Sequence, residues 1–253
     1  MKELNGKTAI ITGASKGIGA ATARRMGELG VNVILAARSE KVVKNLAEEL
    51  SSEGIKATGI ACDVAKYSQV KSVTELAKSK YGSVDIVVNN AGLIEPIARI
   101  TDSNPVDWSQ AIDVNVKGIY HFMHTSLPYM QRQKSGVIIN ISSGAATSAL
   151  EGWSHYCSSK AAALSLTRCA HKEVAEKGVR IIGLSPGTVA TDMQVAIKAS
   201  GINPVSQLDP AVHIPPEWVA EAICWMATQD ASEFDGDDVS LRDETIRARI
   251  GLG

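Results

Sequence analysis

Charge of one sign, closely spaced cysteines and long apolar runs are all scarce in this sequence. Its 253 residues carry 26 Lys and Arg against 27 Asp and Glu, so the formal net charge is −1. This balance, with no cluster of five like charges, lacks the electrostatic footprint of a nucleic-acid-binding protein. The four cysteines have no C-x-x-C spacing, which argues against a zinc knuckle and a disulfide framework, and they fit a reducing compartment.

The apolar runs stay well below the roughly 18 residues that a membrane-spanning helix requires. The N-terminal residues Met1–Lys7 contain neither the apolar core nor the small-residue cleavage site of a signal peptide. With 45% hydrophobic and 21% charged residues, the composition is that of an ordinary globular protein. We therefore expect a folded cytoplasmic protein with neither a membrane nor a nucleic acid as partner.

Short apolar runs rich in β-branched residues alternate with longer amphipathic segments. The predicted strands are Thr8–Thr12, Val31–Ala37, Ala57–Ala61, Val84–Val88, Val137–Ile141, Val179–Leu184 and the weaker Asp238–Leu241. The predicted helices are Ile18–Leu29, Glu40–Leu50, Gln69–Lys80, Pro105–Gln133, Trp153–Lys177 and Pro216–Thr228. Strands that are apolar throughout are typical of a parallel sheet buried on both faces, and the alternation predicts an α/β doubly wound fold. The length fits one such domain over residues 1–253.

The stretch Thr188–Pro216 interrupts this alternation. It has no strong periodicity, and it contains Gly201, Pro204, Pro210 and two consecutive prolines at its end. A segment of this length after a strand is long for a simple connector, and it is typical of a lid over an active site. We expect a substrate lid here.

A glycine-rich turn lies between the first predicted strand and the first predicted helix. Its spacing is G-x-x-x-G-x-G, which differs from the phosphate-binding loop of phosphotransferases. In this position glycines allow the backbone to approach a pyrophosphate, and the helix N-terminus offers free N–H groups. The predicted cofactor contacts in this turn are Gly13, Ser15, Lys16, Gly17, Ile18 and Gly19. The alternative is a tight connector without a ligand.

The end of the second predicted strand bears on the choice of cofactor. A ribose 2′-hydroxyl requires an Asp or Glu about 20 residues after the glycines, whereas a 2′-phosphate requires a cation. This strand ends in Ala37, Arg38 and Ser39, and Lys16 supplies a second positive charge from the glycine turn. Joint placement of these cations favours NADP(H), with contacts at Arg38 and Ser39. The alternative is a pair of solvated surface charges.

Tyr156 and Lys160 lie four residues apart on a predicted helix and therefore share a face. A nearby ammonium lowers the pKa of a phenol, so a tyrosine in this setting exchanges a proton with a carbonyl or alcohol oxygen. The same spacing recurs at Tyr67 and Lys71, which we interpret as a solvated helix face.

Other motifs do not support a hydrolase or a metal site. The sequence Gly183-Leu-Ser185-Pro-Gly187 matches the G-x-S-x-G nucleophile elbow, but the elbow uses the backbone N–H after the serine, and proline has none. His121 and His124 lie three apart on a predicted helix, with no third ligand placed by the sequence. We expect no bound metal.

Taken together, these motifs resemble the classical short-chain dehydrogenase/reductases, from Lys7 to about Thr191. The glycine turn matches the family's loop, and further matches follow in the family's order at Asp63-Val64, Asn89–Gly92 and Pro186–Thr191. The contacts that the resemblance implies for the cofactor are Asp63, Val64, Asn89, Ala91, Gly92, Tyr156, Lys160, Pro186, Gly187, Val189 and Thr191.

The resemblance also implies a catalytic tetrad of Asn115, Ser143, Tyr156 and Lys160. In these enzymes the tyrosine is the acid, the serine bonds the substrate oxygen, and the lysine holds the nicotinamide ribose. The asparagine positions a water that links the lysine to solvent. The family further implies a Rossmann-type, seven-stranded parallel sheet of order 3-2-1-4-5-6-7, and a homodimer or homotetramer.

We therefore expect an NADP(H)-dependent enzyme that transfers hydride to or from a small carbonyl or secondary alcohol, reducing a ketone or diketone. Leu150, Trp153 and Met193 indicate an apolar substrate pocket. Within the same class, an NAD-dependent alcohol dehydrogenase and a 3-oxoacyl thioester reductase are alternatives. Outside it, the alternative is a non-catalytic NADP(H)-binding sensor. The segment after the last strand, Phe234–Arg247, lacks the family's usual Thr-Gly…Val-Asp-Gly-Gly ending.

Overall fold

The computed structural model describes residues 1–252, and this part of the chain forms one α/β domain around a seven-stranded parallel sheet. The strands are β1 (Thr8–Thr12), β2 (Asn32–Ala37), β3 (Ala57–Ala61), β4 (Ile86–Asn89), β5 (Gly136–Ile141), β6 (Val179–Ser185) and β7 (Asp238–Ser240). Their order is β3-β2-β1-β4-β5-β6-β7, and each neighbouring pair is parallel. The predicted fold class and strand order are confirmed.

The helices cover both faces of the sheet. They are α1 (Gly17–Glu28), α2 (Glu40–Ser52), α3 (Tyr67–Tyr81), α4 (Pro105–Ile112), α5 (Gly118–Gln133), α6 (Ser154–Val174), α7 (Asp192–Ser200), α8 (Pro216–Met226) and α9 (Glu244–Ile250). Buried side chains of α1, α2 and α8 pack on one face, and those of α3, α5 and α6 pack on the other. Because β1, β2 and β6 are buried between these layers, their apolar residues need no alternation.

The predicted helix Pro105–Gln133 consists of α4 and α5 joined by a π-helical turn, Asp113–Lys117. The helical pattern begins where expected, because Asn104 caps α4 by accepting a hydrogen bond from the Val106 N–H at 2.8 Å. A π-helical turn inserts an extra residue, and turns of this kind often occur at functional sites. Here the turn carries Asn115.

The expectation of an aperiodic segment at 188–216 was wrong in part. Helix α7 occupies its first half, and short 3-10 turns follow at Pro204–Gln207 and Pro210–Val212. The buried residue of α7 is Ile197, so the helix lacks the apolar stripe that reveals amphipathic helices in a sequence. Gly201, with φ of +63°, ends it in the left-handed conformation.

The order in which strands are added reverses between β1 and β4. The chain places β2 and β3 on one side of β1, and it places β4 to β7 on the other side. In open α/β sheets, ligands bind at the carboxyl ends of the strands beside such a switch point. The glycine turn follows β1 and the Asn89–Gly92 motif follows β4, so both lie at this point. No helix within residues 1–252 is long and apolar enough to cross a membrane.

Candidate active site

A cleft of about 1100 Å³ opens at the carboxyl ends of the strands. It gathers loops that follow β1 to β6, together with one face of α6 and the start of α7. Of the predicted site residues, those that line it are Gly13, Ser15, Lys16, Gly17, Ile18, Arg38, Ser39, Asp63, Val64, Ala91, Gly92, Ser143, Tyr156, Lys160, Pro186, Gly187, Val189 and Thr191. The fold therefore brings together motifs that are spread over most of the sequence.

Three predicted site residues lie behind the cleft wall: Gly19, Asn89 and Asn115. A Cβ atom on Gly19 would stand 2.4 Å from the carbonyl oxygen of Gly13, so this glycine permits the turn to close. The buried Asn89 Nδ2 donates to Asn140 Oδ1 at 2.9 Å and ties β4 to β5. These residues shape the site without reaching into it.

The glycine turn presents unused backbone donors. Gly13 and Gly17 have φ of +63° and +55°, a conformation that side chains disfavour. Lys16 is the N-cap residue of α1, and within the described residues its side chain accepts no hydrogen bond from the first N–H groups of the helix. Gly17 and Ile18, the first residues of α1, line the cleft, so the free N–H groups and the positive end of the helix dipole at this terminus favour a phosphate.

Asn90 is a residue of this site that sequence reasoning missed. Its Nδ2 donates to the carbonyl oxygen of Thr12 at 2.9 Å, and its backbone N–H donates to Thr12 Oγ1 at 2.9 Å. A Cβ on Gly13 would lie 2.9 Å from Asn90 Nδ2. Asn90 thus holds the glycine turn against β4, and its place inside the Asn89–Gly92 motif was the signal that pointed to it.

The two cations predicted to flank a 2′-phosphate occupy different settings. Arg38 is exposed at the end of β2 and lines the cleft. Lys16 Nζ forms an ion pair with Asp192 Oδ2 at 2.6 Å, which links the glycine turn to the start of α7. Both side chains of that pair are more than 70% exposed, so the pair contributes little to stability.

Asn115 fixes the loop after β4. Its Oδ1 accepts from the Leu93 N–H at 2.8 Å, and its Nδ2 donates to the Leu93 carbonyl at 2.9 Å and to Ser159 Oγ at 3.0 Å. The residue is almost fully buried. Its side chain therefore joins this loop to α6, and its role toward a water stays a prediction.

Tyr156, Ser143 and Lys160 converge at the centre of the cleft. Tyr156 and Lys160 lie on one face of α6, and Ser143 follows β5. Burial raises the pKa of Tyr156 to about 12, and the nearby Ser143 hydroxyl partly offsets this. Burial lowers the pKa of Lys160 to about 8. The buried phenol is therefore protonated at neutral pH and is suited to act as an acid.

The expectation that Lys160 lowers the pKa of Tyr156 is not met in this structure. The Lys160 ammonium donates to the Ile141 carbonyl at 2.6 Å and lies 5.5 Å from the centre of the Tyr156 ring. It faces the ring and the carbonyl, so desolvation of the phenol dominates its pKa. The shared face was predicted correctly, but the electrostatic result was not.

The second Tyr–Lys pair lies on the surface. Tyr67, 41% exposed, begins α3, and its hydroxyl is hydrogen-bonded to His124 Nδ1 at 3.0 Å. His121 Nδ1 is bonded to the carbonyl of Val64 at 2.9 Å. No group of three potential metal ligands occurs within the described part of the chain.

One side of the cleft is lined by apolar side chains. We call this surface the apolar wall, and it comprises Ala145, Leu150, Trp153, Met193, Ile197 and Val205. The Trp153 ring packs edge-to-face on Tyr156, with ring centroids 5.5 Å apart. Sequence reasoning named three of these residues but not Ile197 or Val205, which reach the wall from the unexpected helix and the turn after it.

Comparisons with known proteins agree with this geometry. The family model described as short chain dehydrogenase matches residues 7–200. An uncharacterized oxidoreductase of Staphylococcus aureus (strain MW2) is 34% identical over 96% of this chain and 99% of its own length. An uncharacterized oxidoreductase of Staphylococcus haemolyticus (strain JCSC1435) is 34% identical over 98% and 99%.

A solved structure shares the fold. The crystal structure of NAD⁺-bound xylitol dehydrogenase superposes with a TM-score of 0.87 at 23% identity, covering 94% of this chain and 98% of that one. At this identity the likeness concerns the arrangement of helices and strands.

Proposed function

This chain belongs to the short-chain dehydrogenase family and is an oxidoreductase, and from this premise we propose that it is an NADP(H)-dependent carbonyl reductase. The observation that carries the proposal is a single cleft that holds a phosphate-binding turn, an exposed arginine at the end of β2, and a buried Tyr–Ser–Lys group. The substrate class is a small ketone or diketone, with the corresponding secondary alcohol as the product.

The cleft suits a dinucleotide. The glycine turn would hold the pyrophosphate through the N–H groups of α1. A Cβ on Gly13 or Gly19 would clash with Asn90 or with the Gly13 carbonyl, so these glycines allow the turn to keep the shape that such a ligand needs. Asp63 and Val64 would contact the adenine, and Lys160 the nicotinamide ribose, as in the family. The loop Pro186–Thr191 would line the nicotinamide end. The structurally similar xylitol dehydrogenase was solved with NAD⁺ bound, which supports a nicotinamide cofactor in this cleft.

The preference for the phosphorylated cofactor rests on Arg38. The end of β2 offers this guanidinium and Ser39, with no carboxylate to accept a ribose 2′-hydroxyl. A guanidinium forms paired hydrogen bonds with a phosphate, and such charge-assisted bonds are among the stronger ones. Because Lys16 is held by Asp192, Arg38 is the main determinant in this proposal.

Bound in this cleft, NADPH would supply the hydride that reaches the carbonyl carbon. As negative charge develops on the carbonyl oxygen, Tyr156 donates its phenolic proton to that oxygen, and the Ser143 hydroxyl donates a hydrogen bond to it. Burial keeps the phenol protonated until then, since it holds the pKa of Tyr156 near 12. In this structure the Lys160 ammonium bonds the Ile141 carbonyl at 2.6 Å, and its proposed role is to hold the nicotinamide ribose.

The apolar wall supports a substrate with a hydrophobic group beside its carbonyl. Trp153 packs directly on Tyr156, so a group lying on this wall brings its carbonyl toward the phenol. A buried apolar surface with a small number of polar groups is typical of small-molecule sites. We further propose that the β6–α8 segment acts as a lid and that the enzyme works as a homodimer or homotetramer.

Steady-state kinetics with both cofactors test the proposal. We expect NADPH oxidation with some members of a panel of ketones, diketones and 3-oxo esters. The value of kcat/KM should be about a hundredfold higher with NADPH than with NADH, since the paired charge-assisted hydrogen bonds of Arg38 to the 2′-phosphate contribute about 1.5 kcal/mol each. Equal use of both cofactors would remove the role of Arg38. Tight NADPH binding without turnover of any carbonyl would instead favour the sensor.

A further inference from the structure

The β7 strand brings a carboxyl group to the sheet face that α6 covers. Residues Asn89, Asn140, Gly183 and Asp238 occupy one register row across β4, β5, β6 and β7. Paired residues of parallel neighbours point to the same face, and Asn140 Nδ2 donates to Thr167 Oγ1 of α6 at 2.8 Å. Asp238 therefore extends over the face from which Lys160 reaches the cleft.

The fold leaves a specific space for this carboxyl. A Cβ on Gly183 would stand 1.8 Å from Asp238 Oδ1, so the carboxylate occupies the volume that a side chain of β6 would otherwise fill. Asp238 Oδ2 accepts a hydrogen bond from Ser185 Oγ at 3.0 Å. The absence of a side chain at Gly183 and the hydroxyl of Ser185 thus hold the carboxyl in one place.

One oxygen of this carboxyl and one hydroxyl oxygen near it are buried without a hydrogen-bond partner. Neither Asp238 Oδ1 nor Ser142 Oγ has a hydrogen-bond partner within residues 1–252, and both atoms are shielded from solvent. The pair does not form a hydrogen bond of acceptable geometry, although the Ser142 hydroxyl is close enough to lower the pKa of the carboxyl. Burial of a carboxylate with an unpaired oxygen is costly and raises the pKa of Asp238, and the Ser142 and Ser185 hydroxyls and a nearby positive charge oppose this rise.

Lys160 is that charge. Its ammonium bonds the carbonyl of Ile141, the residue next to Ser142, and it lowers the pKa of Asp238. In return, Asp238 is the charged group among the described residues that raises the pKa of Lys160 against the lowering effect of burial. Lys160 is buried, Asp238 is half-buried with one shielded oxygen, and the two groups have opposite charges near the end of β5.

We propose that Asp238 is a positioning residue that keeps Lys160 in its ammonium form inside the desolvated site. Without it, a larger fraction of Lys160 would be the neutral amine between pH 7 and 8, and a neutral amine donates less strongly to a ribose hydroxyl. The catalytic group is Lys160, and Asp238 acts through it from β7. Only the activity measurement below depends on the proposed reductase function.

The ionisable groups facing this pair come from α6 and β7. Tyr156 lies beside Lys160, and Asp237 lies beside Asp238 but turns outward to Arg168 at 2.9 Å. The polar side chains from β5, β6 and the π-helical turn do not titrate in this range: Ser142, Ser185 and Asn115. A change in the Lys160 titration on altering Asp238 therefore reports on this pair.

The test compares Asp238→Asn with Asp237→Asn, which removes a neighbouring but exposed carboxylate. Lysine ¹³C NMR of the purified protein, with Lys160→Met to identify the signal, follows the Lys160 titration. In wild type we expect a midpoint near pH 8. Asp238→Asn should lower the midpoint by about half a pH unit or more, since an opposing charge is lost, and Asp237→Asn should leave it in place. An unchanged midpoint in Asp238→Asn would overturn the proposal.

A reciprocal measurement covers the case in which Asp238→Asn fails to fold. Coupling between two sites acts equally in both directions. Aspartate ¹³C NMR should therefore show the pKa of Asp238 rising further in Lys160→Met, and an unchanged value contradicts the coupling. In the active enzyme, Asp238→Asn should move the alkaline limb of the turnover profile to lower pH. A shifted NMR midpoint in a protein without reductase activity would leave the coupling intact and reject the proposed function alone.

Discussion

The two walls of the cleft are built in different ways. The wall formed by the glycine turn and the strand ends consists largely of backbone. Hydrogen bonds such as those of Asn90 with Thr12 at the end of β1 hold it in place. The apolar wall consists of side chains from the loop between β5 and α6 and from the β6–α8 segment. A backbone cradle suits a ligand part that never varies, whereas a surface of separate side chains can change without disturbing the sheet. We therefore propose that the first wall, which we call the cofactor wall, binds the cofactor and that the apolar wall selects the substrate.

Tyr156 lies where the two walls meet, so its hydroxyl should matter most. Tyr156→Phe should retain NADPH binding and lose at least about two orders of magnitude in turnover, because proton transfer typically contributes that much. Stopped-flow or steady-state measurement of NADPH oxidation checks this. Tyr67→Phe is the matched control, since that phenol lies on the surface with His124, and it should be silent. Near-wild-type turnover of Tyr156→Phe would reject the acid assignment.

Substitutions at the end of β2, in the cofactor wall, should reverse the cofactor preference. Ala37→Asp combined with Arg38→Leu should turn a preference of about a hundredfold for NADPH into one for NADH, since a carboxylate repels a phosphate and accepts from a hydroxyl. The ratio of kcat/KM values for the two cofactors measures this. Lys41→Leu removes an exposed cation of the adjoining helix α2 and should not alter the ratio. A double variant that still prefers NADPH would place the determinant elsewhere.

The apolar wall can be altered without touching the cofactor wall. Ile197→Ala should raise the KM for a bulky hydrophobic ketone about tenfold, since lost apolar contact of this size changes binding by one to two orders of magnitude. The KM for NADPH should change less than twofold. Val195→Ala on the same helix is the control, because Val195 is 71% exposed while Ile197 is 2% exposed. If both variants raise the KM for the ketone equally, α7 affects binding through its own stability and not through contact of Ile197 with the substrate.

The smallest expected effect concerns motion of the β6–α8 segment. Its contacts to the cofactor wall include the exposed pair Lys16–Asp192, which is weak in water. We expect the amides of Asp192–Ser200 to exchange faster than those of β5 and to slow when NADP⁺ and a substrate analogue are added. Mass-spectrometric hydrogen exchange measures both rates. Exchange that is as slow as in β5, and unaltered by ligand, would contradict a mobile lid.

Most of the sheet could be predicted because buried parallel strands and capped helices leave local signals. Strand β1 was predicted at its observed bounds, and the predicted first residues of β2 and β5 differ from the observed ones by one position. Helix α7 could not be predicted, since it buries Ile197 and little else. Helix α9 was missed for a related reason, because Ile246 is the buried residue among its seven.

Within the site, spacing predicted which residues meet but not what they do to each other. The four-residue spacing of Tyr156 and Lys160 was sufficient to place both on one face of α6. It did not reveal that the ammonium would bond the Ile141 carbonyl, or that Asp238 of β7 would act on it. Strand β7 was the weakest of the predicted strands, and its carboxyl becomes relevant only when β7 pairs with β6.

The sequence by itself determined the alternation of buried strands and helices, the glycine turn and the shared face of Tyr156 and Lys160, because each depends on neighbours a few residues apart. Tertiary structure alone decided the protonation of Tyr156 and Lys160, the pairing of Lys16 with Asp192, and the membership of the apolar wall. The reason is physical. Desolvation and charge coupling depend on which distant elements exclude water from a group, and local spacing contains no record of that.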